Sequence, residues 1–301
     1  MWQSNLAQEL YLPYRFKKFF KGYAIETING FKMHLDFKND EGISKALLFF
    51  KKWEHLPTDF LLKQNFINKG GTALDIGANI GYYALMESGL VGPEGKVYAV
   101  EPVSNNFNIL NKNVELNGIK NIKTFKMAMG EKKQYGIEIN VSSQGNRSSF
   151  ITRGGTVYTK KEKVEMATVD DFVSEQQIKP DFIRMDVEGY EKEIFKGMRK
   201  TLLNTPKLFI EFHPREIGFD EFYKMLLMLL ESGYNRVTLI EKKFPLWMKK
   251  NGEIRPILKY LSRTIEGEEG TRGMGKVEHL ALKTLYERSG FLKDSFCAFI
   301  S

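Results

Sequence analysis

Between Thr72 and Ile240, short apolar runs alternate with stretches in which apolar side chains recur every three or four positions. That alternation predicts βα units stacked on a mostly parallel sheet. "TALDI", from Thr72, is a short buried strand and "GYYALMES" the helix that follows it. "KVYAVEP" is the second strand, and "SNNFNILNKNVELNG" the second helix, with Ser104 as N-cap, Phe107, Leu110 and Val114 on one face and Gly118 as its stop. "NIKTFKMAM" makes the third strand. "YGIEINVSS" and "KVEMATVDDFV" form an antiparallel excursion that runs into a short helix. "DFIRMDV" is the fourth parallel strand, "YEKEIFKGMRKTLL" its helix with Tyr190, Ile194, Met198 and Leu202 in register, and "KLFIEF" the fifth strand. After Asp220 the stripe of Phe222, Met225, Leu226, Leu229 and Leu230 marks an amphipathic helix.

The flanks carry other patterns. A hairpin is expected around "TINGFKMHLDF", turning at its Asn-Gly pair, followed by a helical stretch over "ALLFFKKWEHLPTDFLLKQ". The chain therefore divides into an N-terminal helical and hairpin extension, residues 1–70, and an α/β domain, residues 71–301. That domain carries a basic insertion at about 241–276, which includes the glycine-rich, charged "EGEEGTRGMGK", and then a last helix and the strand "SFCAFI". No internal repeat interrupts the pattern.

Composition narrows the setting. With 301 residues, 42% of them hydrophobic, the chain can bury a large core. A single cysteine, Cys297, excludes an internal disulfide framework and a cysteine-based zinc cluster, and fits a reducing compartment. No apolar run reaches the roughly 18 to 20 residues of a membrane span, and the opening residues lack a signal-peptide core, so a cytoplasmic protein is expected. The net charge of +8 admits nucleic acid, an anionic bilayer or an anionic substrate as partner. Glu241 to Arg263 holds seven Lys or Arg against two Glu, and the opening segment interleaves Tyr11, Tyr14, Phe16, Phe19 and Phe20 with Arg15, Lys17 and Lys18. The basic stretch reads first as a solvated face and the aromatics as ordinary packing; a cover over the acceptor site, or peripheral contact with an anionic membrane surface, is the alternative.

The candidate chemistry begins where "TALDI" meets "GANIG". In an open α/β sheet, ligands bind beyond the carboxyl ends of the strands, and the first turn contributes most. Gly77 and Gly81 bracket Ala78, Asn79 and Ile80, which lets backbone approach a ligand closely. The spacing is neither the dinucleotide fingerprint nor a phosphate loop. Asp75 before the turn would repel phosphate but could hold a cationic group directly or through water. Glu101, closing the second strand, sits where an acid grips ribose hydroxyls. An amino-acid-bearing nucleoside with a sulfonium, S-adenosylmethionine (SAM), answers both.

"DIGANIGYYAL", "VYAVEP", "NNFNILNKNVELNG", "VEMATVDDF", "DFIRMDVEGYEKEIFKGM" and "LFIEFHP" together resemble the FkbM family of class I SAM-dependent methyltransferases, over about Gly71 to Pro214. The resemblance implies a Rossmann-like class I methyltransferase fold, a seven-stranded mostly parallel sheet with helices on both faces. It also implies methyl transfer to hydroxyl oxygens, commonly of sugars in glycans, glycolipids or glycosylated metabolites. By position, Asp75, Gly77, Asn79, Gly81 and Glu101 would line the SAM site, with Ala78, Tyr82 and Pro102 beside them and Met127 and Ala128 near adenine.

A hydroxyl acceptor calls for a base within hydrogen-bond reach. Asp186 and Glu188, in "MDVEGYE", and Glu211 and His213, in "IEFHP", gather at the ends of the fourth and fifth strands. Strand alternation sends each pair to one side. His213 is the first choice of base, because its pKa lies near working pH. A divalent cation bridging the group is possible but not favoured, since the spacing fixes no coordination set. Asn146, Arg147 and Ser148, on a polar loop, could frame a sugar or phosphate, while Glu191 and Glu193 read as complements to a helix dipole. RNA as acceptor, and a SAM-binding partner protein without catalysis, are the alternatives; no recognised RNA-binding module is present.

Overall fold

The computed structural model describes residues 22–38, 42–63, 65–142, 147–152, 154–234, 237–240 and 295–301. The aromatic opening segment, Asn146, the basic insertion and the helix expected after it lie outside the described residues. The chain opens with the hairpin β1 (Tyr23–Ile28) and β2 (Phe31–Asp36), paired antiparallel about Asn29-Gly30, then helices α1 (Ile43–Phe50) and α2 (His55–Lys63). The single helical stretch expected there is broken because Lys51 takes the left-handed conformation at φ 53° and ends α1.

The α/β body follows the expected order. β3 (Thr72–Ile76), α3 (Tyr82–Val91), β4 (Lys96–Val100), α4 (Ser104–Leu116) and β5 (Ile122–Phe125) form one half. The chain then leaves the sheet as β6 (Ala128–Met129), β7 (Gln134–Ser142) and β8 (Tyr158–Ala167), which build a separate three-stranded sheet. It returns through α5 (Val169–Glu175) to β9 (Phe182–Met185), α6 (Glu191–Lys196), α7 (Arg199–Leu202) and β10 (Lys207–Phe212). Helices α8 (Pro214–Ile217) and α9 (Phe219–Glu231), then β11 (Val237–Ile240) and β12 (Phe296–Ile300), complete it.

The seven-stranded sheet runs β11-β12-β10-β9-β3-β4-β5. β5, β4, β3, β9 and β10 are parallel neighbours, and β12 is antiparallel to both β10 and β11. The chain order reverses between β3 and β9, so a crevice opens at their carboxyl ends, where ligands settle in such sheets.

Strand alternation feeds two cores, one on each face. Leu74, Ile76, Tyr98, Val100, Ile183, Met185, Leu208 and Ile210 pack with α5, α6 and α9. Ala73, Val97, Ala99, Phe182 and Phe209 pack with α3, α4 and the hairpin residues Ile28, Met33 and Leu35. Each fully buried large apolar side chain contributes about 1.5–3 kcal/mol. The described part of the N-terminal extension thus shares its core with the sheet.

Three local expectations need correction. Ser104 is not the N-cap of α4: Val103 takes that place, and the Ser104 N–H donates to Glu162. The third strand ends at Phe125 rather than running through Met129, because Ala128 pairs with Met166 of β8 instead. The helix expected through Leu202 breaks at Gly197, whose backbone passes so near Gly130 that a Cβ would lie 2.1 Å from its carbonyl oxygen. Asp170 then caps the resumed α7 by accepting from the backbone of Lys200 and Thr201.

Candidate functional site

The turn after β3 is held from two sides. The N–H groups of Gly77 and Ala78 both donate to Val100 O of β4, and a Cβ on Gly77 would lie 2.0 Å from Asp186 O after β9. With φ at +82°, only glycine fits where these strand ends converge. The Asn79 N–H donates to Glu101 Oε2 at 2.9 Å, and the Val103 N–H to Glu101 Oε1 at 2.9 Å. Burial raises the Glu101 carboxyl to about 7, against the pull of these amides and of Asn106.

Glu101 stands in the wall of a cleft of about 610 Å³, counting its open mouth, between β3, β4 and the three-stranded sheet. Gly77, Asn79, Pro102, Met127 and Ala128 are in the same wall, together with Ser148, which the sequence assigned to the acceptor, and the apolar Ile139 and Phe150 of the three-stranded excursion. Phe150 packs against Tyr190 at 4.7 Å between ring centroids.

A second cavity lies on the extension side of the crevice. Ile43, Trp53 and Glu54 form one wall, Ala78, Tyr82, Tyr83 and Arg184 another, and Glu211 closes it. Gly77, Asn79, Asp186 and Glu188 border both cavities. Asn79 and Glu188 hold left-handed backbone, at φ 52° and 53°, and Ser149 Oγ pins Glu188 by donating to its carbonyl. Strained backbone of this kind persists only where its surroundings fix it, and it concentrates at ligand sites.

Several expected residues stand elsewhere. Asp75 borders neither cavity. It faces Arg184 directly in the parallel register of β3 and β9, and its Oδ1 accepts from Arg184 Nη1 at 3.0 Å. It therefore cannot hold a cationic ligand directly. Burial raises its carboxyl pKa and Arg184 pulls the other way. Arg184 also donates to Asp186 Oδ2 at 2.9 Å and lies 3.9 Å from the Tyr83 ring centre. Burial works against its charge, but Asp75 and Asp186 keep the guanidinium protonated. Gly81 supports the site from behind, packed on Leu110, and Tyr82 belongs to the second cavity rather than the first, its hydroxyl beside Asn29, Thr58 and Trp53. Arg147 is exposed and borders neither cavity.

His213 corrects the choice of base. Its ring is 2% exposed and borders neither cavity; Nδ1 lies 2.5 Å from Glu191 Oε1, and Nε2 faces Glu188 and Glu211. Burial would lower its pKa, but Glu191, Glu211 and Asp186 outweigh that and bring it up to about 9. A group already protonated at neutral pH takes no proton from an alcohol. Glu191, read from sequence as a dipole complement, is fully buried and bonds both His213 and the Gly189 N–H. Sequence reasoning also missed Arg184, whose signal was a lone cation inside the apolar strand "FIRM". Trp53 and Glu54 gave no signal at all.

Against known proteins, the methyltransferase FkbM domain matches residues 75–236, more than half of the chain. The hexuronic acid methyltransferase AglP of Haloferax volcanii is 27% identical over 145 residues, 46% of this chain and 54% of that protein. The chain thus spans about half the length of this curated relative. Among solved structures, a SAM-dependent methyltransferase from Aquifex aeolicus is similar at 20% identity and a TM-score of 0.36, over 65% of this chain and 86% of that one. M. jannaschii TYW2 in complex with AdoMet is similar at 17% identity and a TM-score of 0.40, over 75% and 83%.

Proposed function

This chain belongs to the FkbM methyltransferase family, and from that premise we propose that it is a SAM-dependent O-methyltransferase acting on a sugar hydroxyl, in a glycan, glycolipid or glycosylated metabolite that carries a uronic acid. The observation that carries this reading is the shared border of the two cavities at Gly77, Asn79, Asp186 and Glu188, which lets one molecule in each meet beside carboxylates.

The first cleft fits the donor. Glu101 would hold the ribose hydroxyls, fixed by the amides of Asn79 and Val103, while Met127, Ala128 and Ile139 offer an apolar bed for adenine. Bound there, SAM supplies a methyl whose C–S bond breaks with its pair to sulfur as the acceptor oxygen forms the C–O bond. The second cavity takes the acceptor, with Trp53 as an apolar wall for the sugar face. Glu188 is the proposed acceptor of the hydroxyl proton because it borders both cavities, and Arg184 bonds Asp186, which borders them too. Alignment of the two reactants across the shared border would supply a large part of the rate enhancement.

The uronic acid comes from the AglP relative, whose name gives its substrate as a hexuronic acid. The net charge of +8 favours such an anionic glycan, or an anionic carrier at a membrane surface. Among the described residues no helix is long and apolar enough to cross a membrane.

Methyl-labelled SAM, the full chain and glucuronic-acid-bearing oligosaccharides test the proposal. Label stable to mild alkali is expected, because a methyl ether resists it. Alkali-labile label would mean carboxyl esterification, and no transfer to any uronic acid glycan would refute the acceptor.

A further inference from the structure

Two residues that line the second cavity, Asp186 and Glu211, form with the buried His213 a cluster that the proposed transfer does not fully use. One ligand atom each from Asp186, Glu211 and His213 lies within 4.8 Å of the other two. A cation bound at about 2.1 Å to each ligand separates neighbouring ligand atoms by about 3 Å and opposite ones by about 4.2 Å. Closing this cluster on an ion needs side-chain shifts of an ångström or so. The three residues come from the ends of the adjacent parallel strands β9 and β10, so rigid elements set their spacing.

His213 supplies the second observation. It is 98% buried, since only 2% of its surface is exposed. Its Nδ1 is engaged by Glu191, a fully buried carboxylate. Its Nε2 points among carboxylates at 3.5 Å from Glu188 Oε2 and 3.7 Å from Glu211 Oε1, both beyond good hydrogen-bond length. A histidine fixed through one nitrogen by a buried carboxylate, with the other aimed at oxygen ligands, is the usual arrangement of a metal-bound imidazole and its orienting partner.

We propose that Asp186 and Glu211, which line the second cavity, and His213, buried next to them, form a divalent-cation site, the ion displacing the Nε2 proton, with Glu191 as a positioning residue that sets the His213 ring. One nitrogen among carboxylate oxygens suits Mn²⁺ better than Mg²⁺ or Ca²⁺, which favour all-oxygen sets. The site's role rests on the function proposed above: an acceptor hydroxyl bound to the cation would ionise more readily, so that a weak base such as Glu188 suffices.

Binding can be measured without donor or acceptor, which separates this proposal from the methyl-transfer reading. The untagged full chain, stripped with EDTA, is titrated with Mn²⁺ by calorimetry and by electron paramagnetic resonance. One ion per chain is expected, with affinity at least tenfold lower in Asp186→Asn and His213→Gln, and 10- to 100-fold lower in Glu191→Gln. SAM binding and circular dichroism check that each variant is folded. Co²⁺ in place of Mn²⁺ gives a visible spectrum that should change in His213→Gln. Glu211 also lies within reach of Glu54 and Cys297, and Cys297→Ser should leave Mn²⁺ affinity unchanged. Absence of stoichiometric Mn²⁺ binding, affinity unmoved by His213→Gln and Asp186→Asn, or loss of binding in Cys297→Ser would each overturn the assignment.

Discussion

Two buried carboxylates on neighbouring elements have opposite fates. Glu101 accepts from two backbone amides and from Asn106 while standing in a cleft wall, so its oxygens are both fixed and within reach of a ligand. Glu101→Gln replaces one acceptor oxygen by an NH₂ facing a backbone N–H. Hydrogen bonds to a charged group are worth about 1.5–3 kcal/mol, so SAM affinity should fall roughly 10- to 100-fold in calorimetry. Glu87, on α3, is fully buried, and neither carboxylate oxygen has a hydrogen-bond partner among the described residues. Burial first and Asp75 second push its pKa well above the ordinary 4.5, with Arg184 opposing. Protonated when folded and ionised when unfolded, Glu87 makes the native state bind more protons above pH 4.5. Stability therefore falls as pH rises through that value and beyond, by up to about 1.4 kcal/mol per unit. Urea denaturation of Glu87→Gln should show a gain over the wild type that is smallest near pH 4 and larger at higher pH. A gain independent of pH would mean that Glu87 is ionised in the fold.

Helix α4 shows how much of an element its sequence discloses. Its apolar stripe and its place after the second strand were legible, because period and strand length leave few alternatives. Three of its five asparagines, Asn106, Asn111 and Asn113, bond to groups outside the helix. Asn106 reaches Glu101, and Asn111 Oδ1 accepts from Thr124 Oγ1. Asn113 accepts from the His34 N–H at 2.6 Å and donates to Ile80 O at 2.7 Å, tying the edge of the hairpin to the turn after β3. Such contacts depend on which strand edge arrives beside the helix, and no local period encodes that. The same limit hid the pairing of Asp75 with Arg184, 109 residues apart, and the Gly197 break, which answers to Gly130. Asn113→Ala leaves the half-buried His34 N–H and the buried Ile80 carbonyl without these bonds, so it should cost about 1–3 kcal/mol in denaturant unfolding. Hydrogen exchange should quicken in β2 before the central strands respond.

Across the whole molecule, the two sheet faces divide the labour. The face packed by α5, α6 and α9, with the three-stranded excursion, builds the first cleft from residues that lie within the family match. The opposite face is covered by the hairpin, α3 and α4, and there the second cavity gains Ile43, Trp53 and Glu54, all N-terminal to residue 75, where the match begins. Donor binding should therefore be insensitive to the extension, and acceptor choice should depend on it. Trp53 separates the two, because it borders the second cavity alone and anchors Tyr82 through its backbone N–H, which truncation of the side chain spares. Removing an aromatic wall from a sugar costs about 1–3 kcal/mol, by analogy with other stacked contacts. Trp53→Ala should raise the acceptor KM by about tenfold or more while the SAM dissociation constant stays within twofold of the wild type. Equal losses in both would mean that the two cavities are one site and that the extension serves the donor as well.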